Sequence, residues 1–360
     1  MSKIFKVVVA WIIGLFLISF IGSLTLPKIS NAGLGSQSSG RNYSFYLSLA
    51  QWDGGNYLEI AQNGYLRNSY YAFSPLYPGL IGFLSKMTKL DLVISGIFIS
   101  VVSFLAFVYF FHKYVSLLFG EKQAGASTLT FVFFPTTFFC LLIYSESLFL
   151  LFMILSMYAF AKKDYPISIV TAAVAPLIRH LGVFLILGHL FKVAIEDKNL
   201  KLSLAFVISS VPFATYTMVL YIVFNNPLFF ASTQSLWSRF ALDPVSTIFL
   251  YLVPVFSLQP LSLNNLFDLF VTATFLLVLV SGIRHLPKNL WIVSVLAILI
   301  PASTGTLTGM PRYALISLGA FILLGKFISD KPKLKALVWS TSLALQCVLF
   351  ALFITGHWIA

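Results

Sequence analysis

The sequence predicts an all-α polytopic membrane protein, and three observations carry that reading. Apolar residues make up 59% of the chain. Charged residues make up only 9%, against about 25% in a soluble domain. Apolar blocks of helix length recur from end to end, with short polar stretches between them. Water cannot solvate such a chain, so the bilayer is its solvent. The net charge of +12 does not read as a nucleic-acid footprint, because the positive residues sit singly or in pairs between apolar blocks. Cys140 and Cys347 both lie in apolar runs and read as small buried hydrophobes, without metal-ligand spacing or a disulfide framework.

The first block, Val7 to Leu26, follows Lys3 and Lys6. It has two readings: a signal peptide cleaved at Ser30-Asn31-Ala32, or a first spanning helix. About 20 apolar residues suit a span better than a signal core, so the helix reading is preferred. Further blocks fall at 92–111, 124–143, 147–161, 165–178, 181–194, 202–224, 266–283, 289–303, 313–326 and 336–355. The stretch 245–258 is either re-entrant or a further crossing. The expectation is one integral domain over residues 1–360 with about eleven transmembrane helices, within a range of 9–13. Several blocks are too short to cross a ~30 Å core upright, so they either extend further or end inside a cavity, as broken helices do.

Charge orients the chain. With the N-terminus cytoplasmic and strict alternation, 15 of the 23 basic residues fall inside, in agreement with the positive-inside rule. The residue types separate as well: five of the six arginines (Arg41, Arg67, Arg179, Arg239 and Arg312) fall outside, and the inner set is mostly lysine. Lysine snorkels at an interface, whereas arginine suits bidentate contact with phosphate or carboxylate. Function is therefore expected on the extracytoplasmic face.

The longest polar stretch is the first extracytoplasmic loop, 27–89. Ser30 to Arg41 is rich in Gly, Ser and Asn and reads as a flexible loop. The segment from Trp52 to Ala61 places Trp52, Tyr57, Leu58, Ile60 and Ala61 as a short interfacial helix would, with Gly64 as a stop. Ala72-Phe73-Ser74-Pro75-Leu76-Tyr77-Pro78 reads as a turn back towards the membrane. An amphipathic loop resting on the leaflet would explain the aromatics. The sharper reading concerns Asp53, flanked by Trp52 and by two glycines that allow close backbone approach. A carboxylate so placed can take a proton from an incoming hydroxyl. Glu59, about 240° around the helix from Asp53, reads as a solvated charge instead.

Three polar groups interrupt later apolar runs. Tyr144-Ser145-Glu146-Ser147 and Arg179-His180 each divide a pair of blocks, and Met310-Pro311-Arg312-Tyr313 opens a late helix. Charges at membrane depth usually line a cavity. Glu146 has a simple loop charge as its alternative. His180 reads as a hydrogen-bonded neighbour of Arg179, since no metal-like spacing surrounds it. An acid and two arginines on one face suggest an anionic substrate handled beside a base.

These residues resemble a family. Trp52-Asp53-Gly54-Gly55, Ile60-Ala61 and Asn63-Gly64-Tyr65, followed by Phe73 and Pro75-Leu76-Tyr77-Pro78, are similar to the first outer loop of PIG-V-type mannosyltransferases, which belong to the GT-C class of polytopic glycosyltransferases. Phe134-Pro135 and Ile143-Tyr144-Ser145-Glu146-Ser147-Leu148-Phe149 resemble the family's second motif. Arg179 with Gly182 resembles its Arg-x-x-Gly element, and Arg312-Tyr313 its late Arg-Tyr. The first two motifs are specific and the last two weak.

The resemblance implies a GT-C-like fold and an inverting glycosyltransferase. The donor it implies is a polyprenyl- or dolichyl-phosphate sugar of mannose type, and the acceptor a lipid-linked or cell-surface glycan. It makes Asp53 the base and Arg179 and Arg312 candidates for the donor phosphate. Trp52, Tyr57, Glu146 and Tyr313 are expected to bind substrate. A monophosphate leaving group needs less charge neutralisation than a diphosphate, so no cofactor and no metal are expected. Gln51, Gln62 and His180-Leu181 depart from the family pattern, which leaves the sugar and acceptor open. The sequon Asn42-Tyr43-Ser44 stands alone, and without other eukaryotic hallmarks the chain reads as a prokaryotic homologue in a cell membrane; a eukaryotic one would lie in the ER membrane. The competing reading is a lipid-linked-sugar transporter or flippase, although no second copy of the Trp-Asp-Gly-Gly loop exists. A third is a non-catalytic assembly subunit. No sequence feature identifies a small membrane subunit as partner.

Overall fold

The computed structural model describes residues 2–29, 44–257 and 262–359. Ser30 to Arg41, the cleavage pattern Ser30-Asn31-Ala32 and residues Asn42 and Tyr43 of the sequon lie outside the described residues.

All regular structure among the described residues is helical. The chain opens with α1 (Ser2–Thr25), followed by the loop helices α2 (Phe45–Ser48), α3 (Asp53–Asn63) and α4 (Leu76–Thr88). Then come α5 (Leu92–Phe119), α6 (Glu121–Val132), α7 (Glu146–Ala161), α8 (Tyr165–Ile178) and α9 (Val183–Phe191). The middle holds α10 (Leu200–Ile208), α11 (Val211–Phe224), α12 (Phe229–Ser232) and α13 (Pro244–Phe256). The last part holds α14 (Leu263–Ser281), α15 (Lys288–Ala302), α16 (Met310–Tyr313), α17 (Leu318–Ser329) and α18 (Pro332–Ile354). Such a run of apolar helices makes this an integral membrane protein.

Among the described residues, five stretches are long and apolar enough to cross a bilayer: Lys3–Thr25, Leu92–Phe119, Leu200–Phe224, Leu263–Ser281 and Pro332–Ile354. Met310–Ile316 and Leu318–Ser329 make a sixth only as one span bent by 85°. The helices α7, α8 and α15 have 16, 14 and 15 residues. At 1.5 Å per residue they reach about 21–24 Å, short of a ~30 Å core. Their ends meet polar loops that face a common cavity, so these short blocks end inside the protein.

Three blocks differ from the sequence expectation. The block 124–143 is not one helix, since α6 stops at Val132 and the chain continues through a 3-10 turn at Thr137–Leu141. Pro135 is the cause, because it has no N–H to continue the ladder. The hydroxyl of Thr137 donates instead to the Phe131 carbonyl at 2.6 Å. The Gln346 amide on α18 donates to the carbonyls of Val132 at 3.2 Å and Phe134 at 2.8 Å. The block 313–326 breaks at Ser317, and the block 181–194 becomes α9 followed by a π turn at Lys192–Glu196.

The loop 27–89 carries more helix than expected. Its predicted interfacial helix is α3, one residue later at its start, and Gly64 caps it at φ 75°. The turn that begins at Ala72 continues into α4, a helix of 13 residues.

Packing joins α5 to α6 and α7, α7 to α8, α6 to α17, α9 to α15, and α1 to α18. One hydrophobic cluster extends from Val8 on α1 to Ile354 on α18. Cys140 is buried and Cys347 half-buried, and both are free thiols. The lysine-rich helix ends lie opposite the cavity: Glu146 opens α7 and Lys162 follows its last residue, while Arg179 follows the last residue of α8. At that lysine end, Lys122 pairs with Asp330, tying the α5–α6 turn to the α17–α18 turn.

Candidate active site

A cavity of about 660 Å³ lies where α3, α7, α8, α15 and α16 meet. Its wall carries Asp53 and Glu146 as acids and Arg179, Arg239 and Arg312 as bases.

Asp53 is the first residue of α3, and its side chain is 19% exposed. The preceding Trp52 has φ 55°, a left-handed value rare for a bulky residue, and this turn aims the helix start at the cavity. Gly54 lets α3 press against the 143–146 segment: a Cβ there would lie 3.3 Å from the Ile143 carbonyl. The close approach delivers three consecutive side chains. The hydroxyl of Tyr144 donates to the Gln51 carbonyl at 2.9 Å, fixing the turn ahead of Asp53. Ser145 shares a 2.8 Å hydrogen bond with the hydroxyl of Tyr57. Glu146 begins α7 with its side chain only 1% exposed.

Two ion pairs and a longer contact join these groups. Arg312 Nη1 donates to Asp53 Oδ2 at 2.7 Å. Arg179 Nη1 lies 2.5 Å from Glu146 Oε1, and Arg312 Nε approaches the same oxygen at 3.5 Å. Neither contact to Glu146 meets hydrogen-bond geometry, so its carboxylate is held by charge. The order along the wall is Asp53, Arg312, Glu146, Arg179. A buried charge without a counter-ion is costly, and alternation of sign makes this cluster tenable.

Local structure explains the arginine positions. Arg179 stands at the break between α8 and α9. Gly182 folds back on α8: a Cβ there would lie within 2.7 Å of the Ala175 carbonyl oxygen and closer still to the Pro176 nitrogen. Only glycine fits this corner, a physical reason for the Arg-x-x-Gly spacing. Arg312 sits on α16, whose preceding Gly309 has φ 82°. The hydroxyl of Thr136 donates to the Pro311 carbonyl at 2.8 Å, tying α16 to the turn after α6.

Of the residues predicted from sequence, Asp53, Tyr57, Glu146, Arg179, Arg312 and Tyr313 line the cavity. Trp52 is not on the wall; it packs edge-on against Trp358, which is. The loop-charge alternative for Glu146 fails because the residue is buried. His180 is not hydrogen-bonded to Arg179: among the described residues its Nε2 has no partner, and its ring stacks on Phe230 at 4.1 Å. Glu59 is half-buried, not fully solvated, and accepts from Asn63 at 2.8 Å.

Sequence reasoning missed one side of the cavity. Arg239 Nη1 donates to Thr304 Oγ1 at 2.8 Å and Nη2 to the Thr308 carbonyl at 2.7 Å. The loop Thr304-Gly305-Thr306-Leu307-Thr308-Gly309 supplies three hydroxyls, and Thr306 joins Thr308 at 2.8 Å. The available signal was the alternation of threonine and the flanking glycines. Tyr313 stands among the arginines, its ring centre 5.4 Å from Arg239, 5.8 Å from Arg179 and 5.9 Å from Arg312. Among the described residues no group of three His, Cys, Asp or Glu side chains is placed to hold a metal.

Residues 36–184 match the family Mannosyltransferase (PIG-V). GPI mannosyltransferase 2 from Schizosaccharomyces pombe is 32% identical over 146 residues, which cover 39% of this chain and 31% of that relative. The match thus spans about a third of the curated relative's length. The crystal structure of ArnT from Cupriavidus metallidurans bound to undecaprenyl phosphate superposes with a TM-score of 0.54 at 15% identity, covering 94% of this chain and 62% of that one. At that identity the likeness is one of fold, and it shows the expected GT-C-like architecture. The matched segment 36–184 carries Asp53, Glu146 and Arg179.

Proposed function

We propose that this chain is a mannosyltransferase that moves a mannose-like sugar from a polyprenyl- or dolichyl-phosphate donor to a lipid-linked or cell-surface glycan, with inversion. One observation carries the reading: the Asp53 carboxylate, held by Arg312, opens onto a cavity that also holds two further arginines. The PIG-V match supports mannose as the sugar. The undecaprenyl phosphate bound to the structural neighbour supports a lipid phosphate as the carrier.

In this reading Asp53 takes the proton of an acceptor hydroxyl. The oxygen attacks the anomeric carbon, the carbon–oxygen bond to phosphate breaks, and its electron pair leaves on the lipid phosphate. The ion cluster couples these events. Protonated Asp53 no longer neutralises Arg312, so positive charge becomes available as negative charge grows on the phosphate. Arg179 keeps Glu146 as its counter-ion and reinforces the same region. Arginine supplies the charge that a metal would otherwise supply, so the reaction is proposed to be metal-independent.

The orientation belongs to the proposal. The lysine-rich helix ends would face the cytoplasm with the N-terminus, and the cavity the opposite side. A cell membrane fits a prokaryotic source, and an accessory subunit is left open.

The test is transfer of radiolabelled mannose from polyprenyl-phosphate mannose to a host lipid extract, with the protein in nanodiscs. Wild type should transfer, and Asp53→Asn should lose about 10²–10⁴-fold. Equal transfer by both removes Asp53 from the mechanism. No transfer and no donor binding by wild type would favour a transporter or flippase.

A further inference from the structure

The charges in the cavity are unequal. Three arginines face two carboxylates. Arg312 is paired with Asp53 and Arg179 with Glu146. Arg239 has no carboxylate within ion-pair distance among the described residues, and its two hydrogen bonds end on a threonine hydroxyl and a backbone carbonyl. Both direct partners are neutral. The buried Asp268, which accepts from the backbone N–H groups of Gly309 and Met310, acts on Arg239 only at longer range. Three of the five N–H groups of Arg239 make no hydrogen bond among the described residues.

The surroundings of Arg239 suit one kind of anion. The hydroxyls of Thr306 and Thr308 lie along the same wall and, within a network shared with Tyr251, can turn a proton towards a phosphate oxygen, while Thr304 donates to the Pro301 carbonyl at 2.7 Å and holds Arg239 in place. Beside Arg239 the chain exposes large apolar side chains: Trp237, 43% exposed, and Phe240, 58% exposed, also line the cavity, and Leu236 next to them is 61% exposed. An anionic subsite beside exposed apolar surface fits a phosphate attached to a long hydrocarbon. A free phosphate would have no use for that surface.

We propose that Arg239, with the threonines of the 304–308 loop, is the resting-state anchor for the phosphate of the lipid-linked donor. This deepens the proposed function and rests on it for the donor's identity. It reassigns the first phosphate contact, which the sequence had placed on Arg179 or Arg312. Arg312 is neutralised until Asp53 accepts a proton and Arg179 stays paired with Glu146, so these two serve the bond-breaking step and Arg239 serves binding.

The experiment measures binding of polyprenyl phosphate to the full chain in nanodiscs, by quenching of tryptophan fluorescence, and needs no turnover. Polyprenol of the same length and inorganic phosphate are the comparison probes. Arg239→Gln should weaken polyprenyl phosphate about 10–100-fold, the worth of a charged hydrogen bond, and leave polyprenol unchanged. Arg239→Lys should recover part of the loss. Unchanged polyprenol binding also shows that the variant is folded. Wild-type affinity for polyprenyl phosphate in Arg239→Gln overturns the proposal, as does equally tight binding of inorganic phosphate. Arg239-dependent binding without mannose transfer would leave the anchor standing and remove the transferase reading. Normal transfer with Arg239-independent binding would do the reverse.

Discussion

Arg312 donates to Asp53 at 2.7 Å across 259 positions of sequence, and its Nε also lies 3.5 Å from Glu146. One guanidinium therefore spans both acids of the cavity. A lysine could match its charge but not its fork. Arg312→Lys should keep the fold and lower the transfer rate about 10–100-fold, the worth of one charged hydrogen bond. Unchanged transfer by this variant would show that charge alone suffices.

Glu146 is 1% exposed and is the counter-ion of Arg179, itself 13% exposed. Glu146→Gln leaves two arginines facing one carboxylate, and should cost about 3–5 kcal/mol of stability, as breaking a buried pair does. Thermal unfolding in nanodiscs measures it. Adding Arg179→Met should return part of that loss, because the uncompensated charge is gone. If the double variant is less stable than the single, repulsion is not what destabilises it.

Gly182 meets the backbone of Ala175 and Pro176, whereas nothing lies within 4 Å of a Cβ on Gly14 of α1. Gly182→Ala should displace Arg179 and cost about 1–3 kcal/mol, in the range for overpacking, with loss of transfer. Gly14→Ala should be neutral or slightly stabilising. Equal behaviour of the two variants would contradict the close-packed corner.

Gln346 accepts from Trp11 at 2.7 Å and donates to the carbonyls of Val132 and Phe134. Gln346→Leu leaves these groups unpaired in an apolar interior and should cost at least about 1–3 kcal/mol. Transfer at low temperature should survive, since the residue does not line the cavity. A wild-type melting temperature would mean that the break after α6 is satisfied in another way.

Transfer should persist after exhaustive EDTA treatment if arginines supply the charge that the leaving phosphate needs. Loss of transfer that added metal restores would reject metal independence.

By itself the sequence determined the solvent, the helical class and the segment that opens the cavity. These are legible because they are compositional or local. A bilayer forces every backbone polar group into helices, and Trp52 to Gly64 carries its own start, amphipathic face and stop. Glu146, Arg179 and Arg312 stood out because a charge that interrupts apolar runs is costly wherever the chain leads, and Asp53 because Trp52 and two glycines flank it in the polar loop. Tertiary structure alone decided how they pair. Which helix ends meet depends on contacts such as Gly54 against Ile143, and local periodicity says nothing about them. Arg239 shows the same division. In sequence it is one arginine among the five expected outside; in the fold it is the cavity-lining arginine that pairs with no described carboxylate, because Asp53 and Glu146 are already taken by the other two.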